Sequence, residues 1–178
     1  MPVREAISKL AADDALEILP NKSVRVPVMT RSRFQELVVI RLVVEGLAVE
    51  TAAARIDKAQ LGRLAALEQA FRLEISRDEA DVNQIIHINK QFHFTAYAAA
   101  QMPALSSLIE GLCIGPVLNL DLRNSASRRR SDLPSVNAHR ALVDALRAGD
   151  GAAAKAALTS DISSAAEVIL LGTGLKEG

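Results

Sequence analysis

Apolar side chains recur at helical spacing through most of this chain, with short polar joints between the runs. From Arg31 to Ile56, the positions Phe34, Leu37, Val38, Ile40, Leu42, Val44 and Leu47 predict one long helix, with Thr30 placed to cap it. Asp57 to Gln60 predict a break. Leu61, Leu64, Leu67 and Phe71 then predict a second helix, and the stretch from Asp78 to Gln101 a third. Pro103 opens a fourth, interrupted at Gly115-Pro116, because proline lacks an amide hydrogen and clashes with the preceding turn. Asn124 to Pro134, with Arg128-Arg129-Arg130, predict a solvated loop that also carries the charge of Arg123. A fifth helix covers 135–148 and ends at Gly149-Asp150-Gly151, and a sixth covers 152–171. Six antiparallel helices with short joints make a bundle, so the fold class is all-α.

The first 28 residues break this pattern. Pro2 to Ala15 predict a short helix, with proline in a first turn where no amide hydrogen is wasted, and with Ile7, Leu10 and Ala11 on one face. Two short alternating runs, Leu16 to Leu19 and Val24 to Val28, flank Pro20-Asn21-Lys22-Ser23 and predict a β-hairpin with a basic tip.

Composition narrows the function. Apolar residues make up 49% and aromatics 3% with no Trp, so the core is built from Leu, Ile, Val and Ala. The formal net charge is zero, which does not make the chain as a whole an electrostatic binder of nucleic acid. The single cysteine, Cys113, forms no intrachain disulfide, lies in an apolar run as a buried thiol, and fits a reducing compartment. The sequence shows neither a signal peptide nor an apolar stretch long enough to span a bilayer. The expectation is a cytoplasmic protein without a membrane partner.

The chain has three histidines. Asn89 and His93 stand four apart on one predicted helical face, with Phe92 and Phe94 packing inward beside them. His139 opens the apolar pattern Leu142, Val143, Leu146, and Asp161 lies among Ala and Leu in the last helix. Two imidazoles from different helices with two oxygen donors can hold a divalent metal, zinc or nickel above all. They can equally be hydrogen-bonded core residues. His87, six residues before His93, points elsewhere and reads as an ordinary polar position. Arg41 and Glu45 form an i, i+4 pair, either a surface ion pair or an arginine that reaches inward to grip a carboxylate ligand. No Gly-rich phosphate loop, nucleophile elbow or two-histidine zincin motif is present, so no enzyme is expected.

Pro2-Val3-Arg4-Glu5-Ala6 resembles the start of the recognition helix of GntR-type transcription regulators. Leu16 to Val26 is similar to their wing, with Ser23 where that family has a glycine. Arg41 to Glu45, Asn89 to His93 with Tyr97, and Asn137-Ala138-His139-Arg140-Ala141-Leu142 running on to Asp150 resemble the FCD domain, named from the FadR C-terminal domain. The resemblance implies residues 1–28 as a partial winged helix-turn-helix and residues 30–174 as an effector-binding, dimerising bundle of six or seven helices. It implies a divalent metal on Asn89, His93, His139 and Asp161. Asn89 stands where the family has Asp, and Asp161 where it has His, so the formal ligand charge is kept while the site becomes harder. It also implies a small carboxylic acid effector bound at the metal and at Arg41, and a homodimer. Arg4 is implied as a base contact in DNA and Lys22 as a wing phosphate contact. A winged helix needs two helices before the recognition helix, and this chain opens on that helix, so the expectation is that both DNA roles are disabled in it. The competing readings are a metal-dependent enzyme on a helical bundle and a metal-free dimerisation module.

Overall fold

The structure is a computed structural model that describes residues 2–12, 16–112, 134–172 and 175–176. Its elements in chain order are α1 (Pro2–Ala12), β1 (Glu17–Ile18), β2 (Val24–Arg25), α2 (Arg31–Ala52), α3 (Lys58–Ile75), α4 (Val82–Ala98), α5 (Pro103–Leu112), α6 (Pro134–Ala148) and α7 (Gly151–Leu171). The class is all-α, with seven helices and one two-stranded antiparallel sheet among the described residues. No helix among them is long and apolar enough to cross a membrane. Cys113, the Gly115-Pro116 interruption, Arg123 and the Arg128-Arg129-Arg130 loop lie outside the described residues.

β1 and β2 pair with Glu17 opposite Arg25 and Ile18 opposite Val24, and an ion pair of 2.8 Å joins Arg25 to Glu17. The strands are shorter than expected, since Pro20 and Pro27 supply no ladder donors. The Lys22 amide donates to Leu19 O at 2.8 Å, and Asn21 Oδ1 accepts from the Ser23 amide at 3.0 Å. The left-handed position of this turn is Lys22, with φ of 63°, and not Ser23, where the family's glycine would fall. A three-residue loop that ends in a left-handed residue produces this geometry.

Helix boundaries follow their caps. Thr30 accepts from the Arg33 amide and opens α2. The expected run to Ile56 stops at Ala52, because Asp57 and Gln60 form a reciprocal capping box that starts α3. The expected break at 57–60 is therefore the cap and first turn of a helix. Asp81 caps α4, its own amide donating to Glu74 Oε1 at 3.0 Å, so this helix begins at Val82 and not at Asp78. That backbone bond, with Arg77, holds the Glu74 carboxyl below its ordinary range. Gly149 turns the chain at φ of 70°, and Asp150 accepts from the Ala153 amide to start α7.

α7 packs most extensively against α6 and α2, and α3 packs against α4 and α6. The main core joins Val49, Leu64, Phe92, Tyr97, Leu142, Leu146 and Leu158 from five helices. The α2–α7 crossing is close at its start, where a Cβ on Gly151 would stand 2.8 Å from Glu50 O. The buried stripe of α2 runs Phe34, Leu37, Arg41, Glu45, Ala48, Ala52, whereas Leu47, expected inside, is exposed together with Val39 and Val43. The C-terminal residues return to the start of α2. Lys176 O accepts from the Arg31 amide at 2.9 Å, and Arg31 Nη1 donates to Leu170 O at 2.9 Å.

Candidate metal centre

Three of the expected side chains meet. His93 from α4, His139 from α6 and Asp161 from α7 offer ligand atoms that all lie within 4.8 Å of one another, the group of this kind found among the described residues. Each helix delivers its residue by register. His93 sits four before Tyr97 and one after Phe92 on the inner face of α4, and His139 precedes Leu142, Val143 and Leu146 on the inner face of α6. Asp161 lies between Leu158 and Ile162 on α7. All three are buried, with His139 at 1% exposure.

The distances suit a cation. His93 Nε2 is 3.2 Å and His139 Nε2 3.6 Å from Asp161 Oδ2. Ligand atoms held ~2.1 Å from a tetrahedral ion stand ~3.4 Å apart, so both separations already match. The Nδ1 and Nε2 atoms of His139 have no hydrogen-bond partner. Its ring is wedged between Phe92, stacked at 4.2 Å, and Phe71, at 4.6 Å. An imidazole with both nitrogens orphaned in a core is costly, and native proteins keep such groups for a purpose. Burial pushes His139 below the ordinary imidazole range and outweighs the opposing pull of Asp161. Burial pushes Asp161 up, but His139 and His93 together more than reverse it and hold the carboxyl below its ordinary range. A carboxylate and an uncharged imidazole are the forms that a metal takes. The donor set therefore fits a divalent cation.

Asn89 is buried one turn before His93 on the same face of α4. His87 is exposed, as its spacing implied. Arg4 on α1 and Lys22 at the hairpin tip are also exposed. The Arg41–Glu45 pair is not on the surface. It is buried, with Arg41 Nε 2.6 Å from Glu45 Oε1. Spacing missed two further features. Glu45 Oε2 accepts from Tyr97 Oη at 2.5 Å, and Tyr97 Oη lies 3.3 Å from His93 Nδ1. The signal available was the i, i+4 step from His93 to Tyr97 and the position of Glu45 in the stripe Leu37, Arg41, Glu45, Ala48. Glu68, a further buried acid on α3, accepts from Arg72 Nε at 3.3 Å.

A profile of the FCD domain matches residues 36–164. The HTH-type transcriptional regulator McbR of Escherichia coli K12 is 32% identical over 120 residues, which are 66% of this chain and 53% of that protein. The chain thus spans about half the length of that curated relative. Among solved structures, E. coli McbR/YncC superimposes with a TM-score of 0.78 at 24% identity, covering 90% of this chain and 79% of that one. A GntR family member from Pseudomonas syringae pv. tomato superimposes with a TM-score of 0.65 at 24% identity, covering 96% of this chain and 69% of that one. At these identities the structural likeness concerns the fold.

Proposed function

This chain belongs to the FCD-domain family of GntR-type regulators, and from that premise we propose that its bundle is the effector-sensing part of a ligand-responsive transcription regulator. In this reading residues 30–174 form the sensor, and residues 1–28 belong to the DNA-binding head. His93, His139 and Asp161, with Asn89 one turn away, hold a divalent cation, zinc or nickel given two imidazole nitrogens among the donors. A bound cation supplies positive charge inside an apolar bundle, which is what the carboxylate of a small organic acid requires. Arg41, a helical turn before Glu45, is the protein's own cation for the same acid. Two copies act together, and the acid shifts the population of arrangements of their heads by binding one more tightly than the other. Arg4 and Lys22 are the DNA contacts where such a head is complete, and not in this chain by itself.

The observation that carries this reading is the convergence of His93 Nε2 and His139 Nε2 on one oxygen of Asp161, with neither His139 nitrogen in a hydrogen bond. The test is a thermal-shift screen of small hydroxy acids, sugar acids and dicarboxylates, each with and without zinc or nickel. The expected outcome is stabilisation by metal alone, and a further rise for some acids only when metal is present. Acids that stabilise equally without metal, or a protein indifferent to metal, would refute the reading.

A further inference from the structure

An unbroken line of buried polar groups leaves the metal centre and ends on α2. His93 Nδ1 faces Tyr97 Oη at 3.3 Å, and Tyr97 Oη donates to Glu45 Oε2 at 2.5 Å. Glu45 Oε1 accepts from Arg41 Nε at 2.6 Å, and Oε2 lies 3.5 Å from Arg41 Nη2. Glu45 is 0% exposed and Tyr97 2%. A carboxylate inside a core built of Val, Leu and Ala is expensive, and its two strong bonds offset only part of that cost. Packing alone gives no reason to put one there.

Hydrogen counting supplies the reason. A phenol carries one hydrogen. The short bond to the Glu45 carboxylate uses it, so Tyr97 Oη can only accept from His93. A hydrogen bond between them puts the ring hydrogen of the neutral imidazole on His93 Nδ1, in competition with Asp161 Oδ2, which would draw it to Nε2. Nε2 is left with a bare lone pair, and Nε2 is the atom that lies 3.2 Å from Asp161 Oδ2.

We propose that Tyr97 and Glu45 are positioning residues that lock His93 as its Nδ1–H tautomer and aim the Nε2 lone pair at the cation site, with Arg41 fixing the Glu45 carboxylate. The inference rests on the cation-binding reading above for its purpose. With His93 locked, its Nε2 meets the carboxylate oxygen of Asp161 with no hydrogen between them, beside the Nε2 of His139. The line also ties the centre to α2, the helix that follows the hairpin. Through Arg41 it gives the buried ion pair a task in metal binding, distinct from gripping an effector.

The test uses the full chain with labelled histidine, stripped of metal by chelator and held at about pH 8, above the ordinary imidazole range. Two-bond proton–nitrogen correlation reads the tautomer of each ring. The chain has three histidines, and His87→Gln and His139→Gln assign the signals. In the native chain His93 is expected as Nδ1–H. In Tyr97→Phe, a near-isosteric change whose folding is checked by circular dichroism, that preference is expected to disappear. Cobalt(II) titration followed by its visible absorption should show affinity weakened about tenfold to a hundredfold in Tyr97→Phe, and likewise in Glu45→Gln. A His93 found as Nε2–H in the native chain, or a tautomer and cobalt affinity unchanged by Tyr97→Phe, would overturn the proposal. If the native chain takes up no cobalt while His93 is locked as Nδ1–H, the cation reading fails and the lock stands.

Discussion

Asp161 is the residue on which the centre turns, because one of its oxygens faces the Nε2 of both His93 and His139. An amide in the same volume removes the carboxylate charge that the two imidazoles hold in place. Asp161→Asn is therefore expected to cost the metal-free protein about 1 kcal/mol, while abolishing stabilisation by zinc or nickel. Urea unfolding at about pH 8, with and without metal, checks both halves, and a metal-free variant more stable than the native chain would speak against a carboxylate held by the two histidines. Protons give a second handle. Asp161 and His139 are both held below their ordinary ranges in the folded chain. The unfolded chain then binds more protons than the folded one wherever these groups titrate, so stability rises with pH. For His139 the stability is full above the unfolded imidazole value, ~6.5, and is lost as pH falls below it, and the Asp161 contribution is lost below ~4. Melting curves of metal-free protein from pH 8 to 4 should fall below about pH 6.5 as the His139 contribution is lost, and a rise on acidification would contradict the assignment. Sequence spacing reached the right histidines here, because i, i+4 and inward-facing patterns mark a face. It could not reach the Glu45–Tyr97 bond, which joins two helices 52 positions apart.

Elements arrive at the centre because their ends are fixed. Asp57, Asp81 and Asp150 each accept from an amide of the first turn they cap, so α3, α4 and α7 start at defined residues and their inner faces are set in register. Helix identity was legible from apolar spacing, and the last two helices fall within a residue of expectation. Boundaries at 57–60 and at 78 were not legible, since Asp-x-x-Gln and a distant Glu74 decide them. In α2 the apolar residue Leu47 misled, since it is exposed while the buried stripe contains Arg41 and Glu45. The α2–α7 crossing offers a sharp test. A Cβ on Gly151 would meet backbone Glu50 O at 2.8 Å, and backbone cannot swing aside. Gly151→Ala should cost about 2 kcal/mol by urea unfolding, of the order of an overpacked core. Lys22→Gly should stabilise by about 1 kcal/mol, since φ of 63° is free for glycine and strained for lysine. A neutral Gly151→Ala would mean that the two helices are farther apart than described.

At the scale of the molecule, α7 connects chemistry to architecture. It carries Asp161 in its middle, and its end holds the start of α2, where Arg31 donates to Leu170 O and pairs its amide with Lys176 O. A cation bound at the centre would therefore clamp α4, α6 and α7 together, beside the residues that lead to the hairpin. Saturating metal, at a hundred times its dissociation constant, should add about 2.7 kcal/mol to the unfolding free energy. The family was readable from Asn137 to Asp150 and from Asn89 to Tyr97, since both runs combine a helical face with rare polar positions. The most direct measurement is calorimetric titration of zinc into the metal-free chain beside His93→Ala and Asp161→Asn. One ion per native chain, with no heat of binding in either variant, is the result expected. Native protein that binds no zinc, or variants that bind it as tightly as the native chain, would contradict the account.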